Sequence, residues 1–314
     1  MEPLFSLHPN GLFLRREALD FGVDDRELRA ARRGGVITRI RHGAYVDSSA
    51  WNHLDAVDQY RVRGQAVLLS HHGNVALSHS SGAAEHGLRL WDVDTSLVHV
   101  TRLDGGPGGR QGDIVYHVDT CSPADVMSKN ELPVLGPQRC ALGAAALGSV
   151  ESGLVLLDSV LDLGLGSEAS LWATYAEMAR WPGARRLQVI VRLAQPGAQS
   201  VGESRSRYLC WVQHLPRPEL QFEVYDDNGD LVGITDFAWP EHELLGEFDG
   251  KVKYGRLLRP GEEPSDVVFR EKVREDRLRE VLGWTMVRLV WSDLHHPQET
   301  ATRIRRQMMR SRAA

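Results

Sequence analysis

A chain of 314 residues, 42% hydrophobic and 25% charged, is long enough for two or three domains and has the composition of an ordinary globular protein, which excludes the disordered and fibrous classes. Its net charge of -5 excludes a uniformly basic nucleic-acid coat but not a locally basic surface. No apolar run approaches the roughly 20 residues that cross a bilayer, and Met1-Glu2-Pro3-Leu4 lacks a basic and then apolar leader, so a cytoplasmic chain with no membrane partner is expected.

The first legible segment runs from Gly11 to Val46. Leu12 to Leu19 suits a short helix, and Phe21-Gly22-Val23 reads as a turn. A second helix fits Asp24 to Arg33: Asp24 serves as N-cap, Glu27 three residues on completes a capping box, and Gly34-Gly35 stops it. Val36 to Val46 alternates and turns at Gly43, as a hairpin or wing does. Between Arg26 and Arg41 stand Arg26, Arg29, Arg32, Arg33, Arg39 and Arg41 against the single acid Glu27. Helix, turn, arginine-rich helix and wing is the layout of a winged helix-turn-helix, whose second helix enters the major groove while the wing touches backbone. The six arginines are therefore the candidate nucleic-acid contacts. A helical interaction module with a solvated arginine face is the competing reading. The segment resembles the amino-terminal domain of AbiEi-type antitoxins in Gly22-Val23, Leu28, Arg32-Arg33-Gly34-Gly35 and Ile40-Arg41-His42-Gly43-Ala44-Tyr45. That resemblance implies DNA binding at an operator, and a partner toxin or a second copy of the chain as companion.

Trp51 to Pro196 forms the middle segment. Tyr60 to Leu69 and Ala76 to Gly87 read as helices, Leu97 to Val100 and Ile114 to Val118 as strands, and Gly105 to Gly112 as a glycine-rich loop between them. The loop lacks the lysine of a phosphate-binding loop and the helix that should follow, so it is not read as a nucleotide site. Helices are expected over Gln138 to Ala146, Glu151 to Leu161 and Ser167 to Ala179. His71, His72, His79 and His86 match no zinc spacing, although His79 and His86 share a helix face, and they are read as packing or surface histidines. Cys121, Cys140 and Cys210 are odd in number and form no Cys-x-x-Cys pair, which points to buried thiols.

From Ser200 onward the elements read αβββαβα. A helix fits Gly202 to His214, strands fit Leu220 to Tyr225, Leu231 to Ala238 and Glu243 to Asp249, and Asp226-Asp227-Asn228-Gly229 supplies a tight turn between the first two. A long helix from Pro264 to Leu282, a strand from Trp284 to Trp291 and a final helix from Pro297 to Arg310 complete the order. The last twelve residues carry Arg303, Arg305, Arg306, Arg310 and Arg312 and no acid, a second stretch able to face phosphates.

The acids of this segment carry its chemistry. Asp236 sits near the end of an otherwise apolar strand, where a carboxylate is costly without a cation or donor. The period of two puts Glu247 and Asp249 on one face with Phe248 on the other, and like charges that close repel unless a cation lies between them. Phosphodiester hydrolysis uses a bound divalent ion, and hard oxygen ligands suit Mg2+ or Mn2+. Asp236, Glu247 and Asp249 are the candidate metal ligands, with Glu203 from the preceding helix orienting a water or completing a second site. The segment resembles the PD-(D/E)XK nuclease superfamily, more narrowly the Vsr-like endonuclease domains found behind antitoxin-like domains in actinobacteria. The match rests on Glu203 with Arg207, Asp236-Phe237-Ala238-Trp239-Pro240, Glu247-Phe248-Asp249-Gly250 with Lys253-Tyr254, Arg277, and Gly283-Trp284-Thr285-Met286-Val287-Arg288. It implies Arg207 and Arg277 as further nucleic-acid contacts. The superfamily lysine two residues after the second acid is here Asp249, and Lys251 and Lys253 are its candidate replacements. Surface salt bridges are the competing reading for the acids, and pairing with Glu271, Glu275, Asp276 and Glu280 for Arg277 and Lys272.

The expected fold class is α/β, α+β overall: a winged helix-turn-helix over 1–50, a mixed α/β, antitoxin-like domain over 51–196, and an αβββαβ restriction-endonuclease-like core over 197–314. The expected function is metal-dependent cleavage of nucleic acid, DNA first, by a chain with its own DNA-binding domain. The alternative is an antitoxin-like transcriptional regulator whose nuclease fold is degenerate and does not cleave.

Overall fold

The computed structural model describes residues 1–71, 73–118, 125–181, 183–250, 277, 278 and 280–311, and the chain divides into two units, Met1–Arg192 and Leu193–Ala314. The fold is mixed α/β. In the first unit a helical turn, α1 (Glu2–Phe5), precedes β1 (Phe13–Leu14), α2 (Arg15–Asp20), α3 (Asp25–Arg33) and the hairpin β2 (Ile37–Arg41) and β3 (Ala44–Asp47), with strand order β1-β3-β2. This is the winged-helix layout. Asp24 Oδ1 accepts from the N–H groups of Arg26 and Glu27 at 2.8 Å, and Glu27 Oε2 accepts from Asp24 N–H at 2.9 Å, so the capping box forms as the spacing requires. Gly43 turns the hairpin at φ +73, a backbone setting that glycine adopts at low cost.

One expectation here is corrected. Phe13 and Leu14 are not the start of a helix: they pair with Tyr45 and Ala44 as a short strand, and α2 begins only at Arg15. Both side chains are buried, Phe13 with Leu4, Ala18, Leu28 and Ile37, and Leu14 with Ala44 and Val46. Pairing with β3 buries both residues, which outweighs their helical spacing. Val62 and Ala66 of α5 (Ala56–Ser70), which follows α4 (Ser48–His53), join the cluster of Leu14, Ala44 and Val46, so the wing rests directly on the next helix.

The rest of the unit is built on a sheet of β4 (Val75–Leu77), β5 (Val98–Arg102), β6 (Gly109–Gln111), β7 (Ile114–His117), β8 (Val126–Lys129) and β9 (Leu132–Leu135), in the order β6-β7-β5-β4-β9-β8. α6 (His79–His86) follows β4, and α7 (Pro137–Leu147), α8 (Val150–Asp162), α9 (Glu168–Glu177) and α10 (Ala184–Leu193) follow β9. Ala76 and Leu77, read as the start of a helix, instead belong with Val75 to a buried strand between β5 and β9; a three-residue apolar run has no period to distinguish the two. The end of the glycine-rich loop, Gly109 to Gln111, pairs with β7 as an edge strand.

In the second unit α11 (Val201–Val212) leads into β10 (Glu219–Tyr225), β11 (Leu231–Trp239), β12 (Leu244–Asp249) and β13 (Thr285–Val290), and α12 (Pro297–Ser311) closes the chain. The sheet order is β10-β11-β12-β13, antiparallel except for the parallel β12/β13 pair. The β10–β11 turn forms as the Asn-Gly pair demands: Gly229 takes φ +83 and its N–H donates to Asp226 O at 2.9 Å. One core joins Phe237, Trp239, Leu244, Phe248, Val287 and Leu289 to Leu209 and Cys210 of α11 and to Ala301, Ile304 and Met308 of α12. A second joins Val224, Ala238, Leu245 and Met286 to Leu278. Most of the expected helix over Pro264 to Leu282, with Lys251, Lys253, Glu271, Lys272, Glu275 and Asp276, lies outside the described residues, as do His72 and Cys121.

Candidate functional site

Two places in the chain gather functional side chains, one in each unit. In the first, Leu28 is the apolar foot that seats α3 on the core. With that residue buried, the helical spacing turns Arg26, Arg29 and Arg33 outward, while Arg32 follows Leu28 one turn on along the face that lines a groove; all four are exposed. A groove of about 430 Å³ opens between α3 and the wing, lined by Arg15, Asp25, Leu28, Arg29, Arg32, Arg39, His42, Gly43 and Tyr45. Four of these nine are arginines and one is an acid.

The acid has a defined task. Asp25 accepts from Arg15 Nε at 2.7 Å and from a terminal nitrogen of the same guanidinium at 2.5 Å, a fork that ties the start of α2 to the start of α3. Those hydrogen bonds hold the Asp25 carboxyl below the usual carboxylate range. On the wing, Arg39 donates to Arg41 O at 3.2 Å and lies 3.1 Å from His42 Nδ1, so its guanidinium is held at the hairpin tip. Arg41 behaves differently from the other five arginines of the segment. Its side chain is 13% exposed and pairs with Asp113 at 3.4 Å, which removes it from the phosphate-facing set.

In the second unit an acid of β11 reaches the backbone of β12. The β10/β11 register runs Leu220 with Phe237 and then Phe222 with Thr235, passing over the position where Gln221 and Asp236 stand, and Gln221 takes φ +49. Asp236 turns into the seam between β11 and β12, where its Oδ2 accepts from Phe248 N–H at 2.8 Å. That nitrogen belongs to the peptide joining Glu247 to Phe248, so the Asp236 carboxylate abuts the β12 backbone there. Glu247 and Asp249 follow Leu245 along one face of β12, as the period of two requires. Arg288, the partner of Glu247 in the parallel register, has one guanidinium nitrogen 4.0 Å from Glu247 Oε2 and another 4.0 Å from Asp249 Oδ2.

Two residues expected at this site are engaged in the fold. Glu203, at N3 of α11, is 2% exposed: its carboxylate accepts from Gln199 N–H at 2.8 Å, Ser200 Oγ at 2.6 Å and Gln221 Nε2 at 3.4 Å. These bonds tie the helix start to β10 and satisfy a buried charge that would otherwise be costly. Arg207 is 6% exposed and donates to Leu193 O at 2.5 Å, so it holds backbone and is not presented to a phosphate. Arg277 is exposed on a helical turn. The nuclease resemblance implies a divalent cation; among the described residues no group of three His, Cys, Asp or Glu side chains could hold a metal ion, and guanidinium nitrogens of Arg288 lie 4.0 Å from Glu247 and from Asp249.

Sequence reading passed over a cluster in the first unit. His79 stacks on His117 with ring centroids 3.6 Å apart and on Trp181 at 6.0 Å, while His99 Nδ1 and His117 Nε2 lie 2.9 Å apart. Burial pushes His99 and His117 down to about 4, and burial with the neighbouring His117 and His99 pushes His79 well below the ordinary range. Stacked imidazoles keep their lone pairs in parallel planes, so the trio does not converge on one ion. His71 and His86 bond within the fold, to Tyr116 Oη and to Leu135 O, each at 2.7 Å. His99 and His117 lie one on each of two paired strands, and nothing in their sequence spacing marks them.

Residues 1–46 match the family described as the transcriptional regulator AbiEi antitoxin (AbiEi_4). Two relatives from Mycobacterium tuberculosis, Uncharacterized protein Rv2248 of strain H37Rv and Uncharacterized protein MT2308 of strain CDC 1551, are each 30% identical over 162 residues, 51% of this chain and 56% of theirs. The chain thus spans about half the length of the curated relatives it matches. The crystal structure of the RV2827C protein from the same organism overlaps 71% of this chain and 86% of its own at 14% identity, with a TM-score of 0.40. Among the described residues no helix is long and apolar enough to cross a membrane.

Proposed function

We propose that the chain is a DNA-binding regulator of the antitoxin type, which engages duplex DNA through its amino-terminal winged helix. The observation that carries this reading is the groove between α3 and the wing, where Arg15, Arg29, Arg32 and Arg39 line one concave surface and the one acid present, Asp25, is engaged by Arg15. Duplex DNA carries one negative charge per roughly 1.7 Å of axis, and arginines held at a helix and a wing neutralise it by releasing counterions. The match of residues 1–46 to AbiEi regulators supports the same reading. Arg26 and Arg33, exposed on α3 outside the groove, extend the contact along the backbone. A partner toxin or a second copy of the chain is the companion this reading includes.

The test is an electrophoretic mobility shift with duplex DNA from upstream of the chain's own coding sequence and with unrelated duplex. The Arg29→Ala/Arg32→Ala double variant loses binding to both, while Arg207→Ala, at a buried position, is judged by folding alone. Retention of full binding by the double variant refutes the reading.

A second reading assigns the carboxy-terminal unit phosphodiester cleavage with Mg2+ or Mn2+, through Asp236, Glu247 and Asp249. The contact of the Asp236 carboxylate with the peptide N–H that follows Glu247 favours it. It calls for nicking of single-stranded, duplex or mismatched DNA, or of RNA, in the presence of either metal, abolished by Asp236→Ala. A wild-type protein inert on all four substrates removes it and leaves the unit as a non-cleaving scaffold.

A further inference from the structure

The first unit holds a cavity of about 580 Å³ between the start of α6, the segment that leads into β5 and the end of α7. That volume falls in the roughly 300–1,000 Å³ range of small-molecule sites. Its polar lining is Ser80, Asp92, Asp94 and His99, and its apolar lining includes Leu97, Ala144 and Leu147. Hydrogen-bond accounting shows what these polar groups have left to offer. Tyr60 Oη has one proton, which goes to Leu97 O at 2.9 Å. The Ser80 and Ser81 hydroxyls, 2.9 and 2.7 Å from the same phenolic oxygen, therefore both donate to it. Ser80 is 2% exposed and, with its proton committed to Tyr60, presents only lone pairs.

His99 is 6% exposed, and its Nδ1 lies 2.9 Å from His117 Nε2. Among the described residues none is hydrogen-bonded to its other ring nitrogen, Nε2. Burial keeps the ring neutral down to about 4, so with Nδ1–H donated to His117 the Nε2 atom carries a lone pair. Asp92 and Asp94 are exposed at the rim, and Asp94 accepts from Ser96 N–H at 2.8 Å, which holds its carboxyl below the usual range. Among the described residues no lysine or arginine lines the cavity, so an anion finds no counter-charge there. Nor do these groups assemble a metal site. We propose that the cavity binds a small organic amine, its ammonium donating to the acceptors set by Ser80, His99 and the two aspartates, its apolar body lying along Leu97, Ala144 and Leu147. An ammonium matches this lining because it has three donors and no acceptor. The inference concerns the first unit's cavity alone and is independent of DNA binding and of the second unit.

The experiment is isothermal titration calorimetry on the full chain with three probes of similar shape: phenethylamine, phenethyl alcohol and hydrocinnamate. Wild type binds the amine with a Kd of about 1 mM, as a probe of so few atoms permits, and more tightly than the other two by roughly fivefold or more. The Asp92→Asn/Asp94→Asn variant brings the amine down to the affinity of the alcohol and leaves the alcohol unchanged. Heteronuclear NMR of the imidazole nitrogens shows His99 Nε2 shifting as the amine is added. Equal binding of the three probes, or no binding of the amine up to about 10 mM, overturns the proposal. So does amine binding that survives the double variant or leaves His99 Nε2 unmoved, because the amine then sits elsewhere. If circular dichroism shows that the double variant has lost its fold, Asp94→Asn alone is read by the same criteria.

Discussion

Arg32 and Arg41 look alike in the sequence, two arginines in one basic run, yet the structure gives them different work. Arg32 lines the open groove, and Arg41 pairs with Asp113, far along the chain. Charge runs are visible in a sequence, but the partner that neutralises a charge is not, because it is chosen by tertiary packing. Arg32→Ala therefore weakens duplex binding across sequences, whereas Arg41→Ala leaves affinity near wild type; fluorescence anisotropy with labelled duplex distinguishes them. Glu203 teaches the same lesson: its residue type suits a catalytic role, and its carboxylate accepts from Gln199 N–H and the Ser200 hydroxyl at the start of α11. The histidine trio makes stability depend on pH. Burial keeps folded His99 and His117 neutral down to about 4 and holds His79 well below its ordinary range, while unfolded imidazoles take up protons below about 6.5. The unfolded state thus binds more protons in that window, so stability falls as pH drops from 6.5 towards 4 and levels off below. His117→Phe flattens this slope in thermal unfolding followed at pH 7, 6 and 5; an unchanged slope contradicts the assignment.

At the scale of elements, close approach between helix and sheet sets the second unit. Gly202 of α11 lies so near β12 that an added Cβ would come within 1.9 Å of the Phe248 ring, which is itself held edge-on to Trp291 at 5.1 Å. Gly202→Ala destabilises the unit by about 1–3 kcal/mol in urea unfolding, since the ring has no room to retreat. Removing a cap is milder: Asp24→Ala costs about 1 kcal/mol at the start of α3. The elements legible in the sequence were those with local causes. The Asp24 box, the Gly43 turn and the Asp226 to Gly229 hairpin each follow from two or three adjacent residues. Phe13-Leu14 and Val75-Ala76-Leu77 were not, because a strand of two or three residues exists only through partners at Tyr45 or Val134 that no local window contains. The shared face of Glu247 and Asp249 is legible from alternation, whereas the bond of Asp236 to Phe248 N–H and the nearness of Arg288 depend on which strands lie next to β12.

For the whole molecule, a net charge of -5 coexists with an arginine-lined groove, so the total says little about the partner. What matters is that Arg15, Arg29, Arg32 and Arg39 of the first unit line an open groove, while in the second Asp236 accepts from a backbone N–H and a guanidinium lies near Glu247 and Asp249. A regulator that reads duplex DNA through its winged helix is the function this division of charge favours. The most direct measurement is the salt dependence of duplex affinity. The account expects log K to fall linearly with log salt for the wild-type chain, and expects the slope of the Arg29→Ala/Arg32→Ala variant to be shallower by about 0.9 for each phosphate contact removed. A wild-type affinity indifferent to salt, or a variant with the wild-type slope, contradicts it.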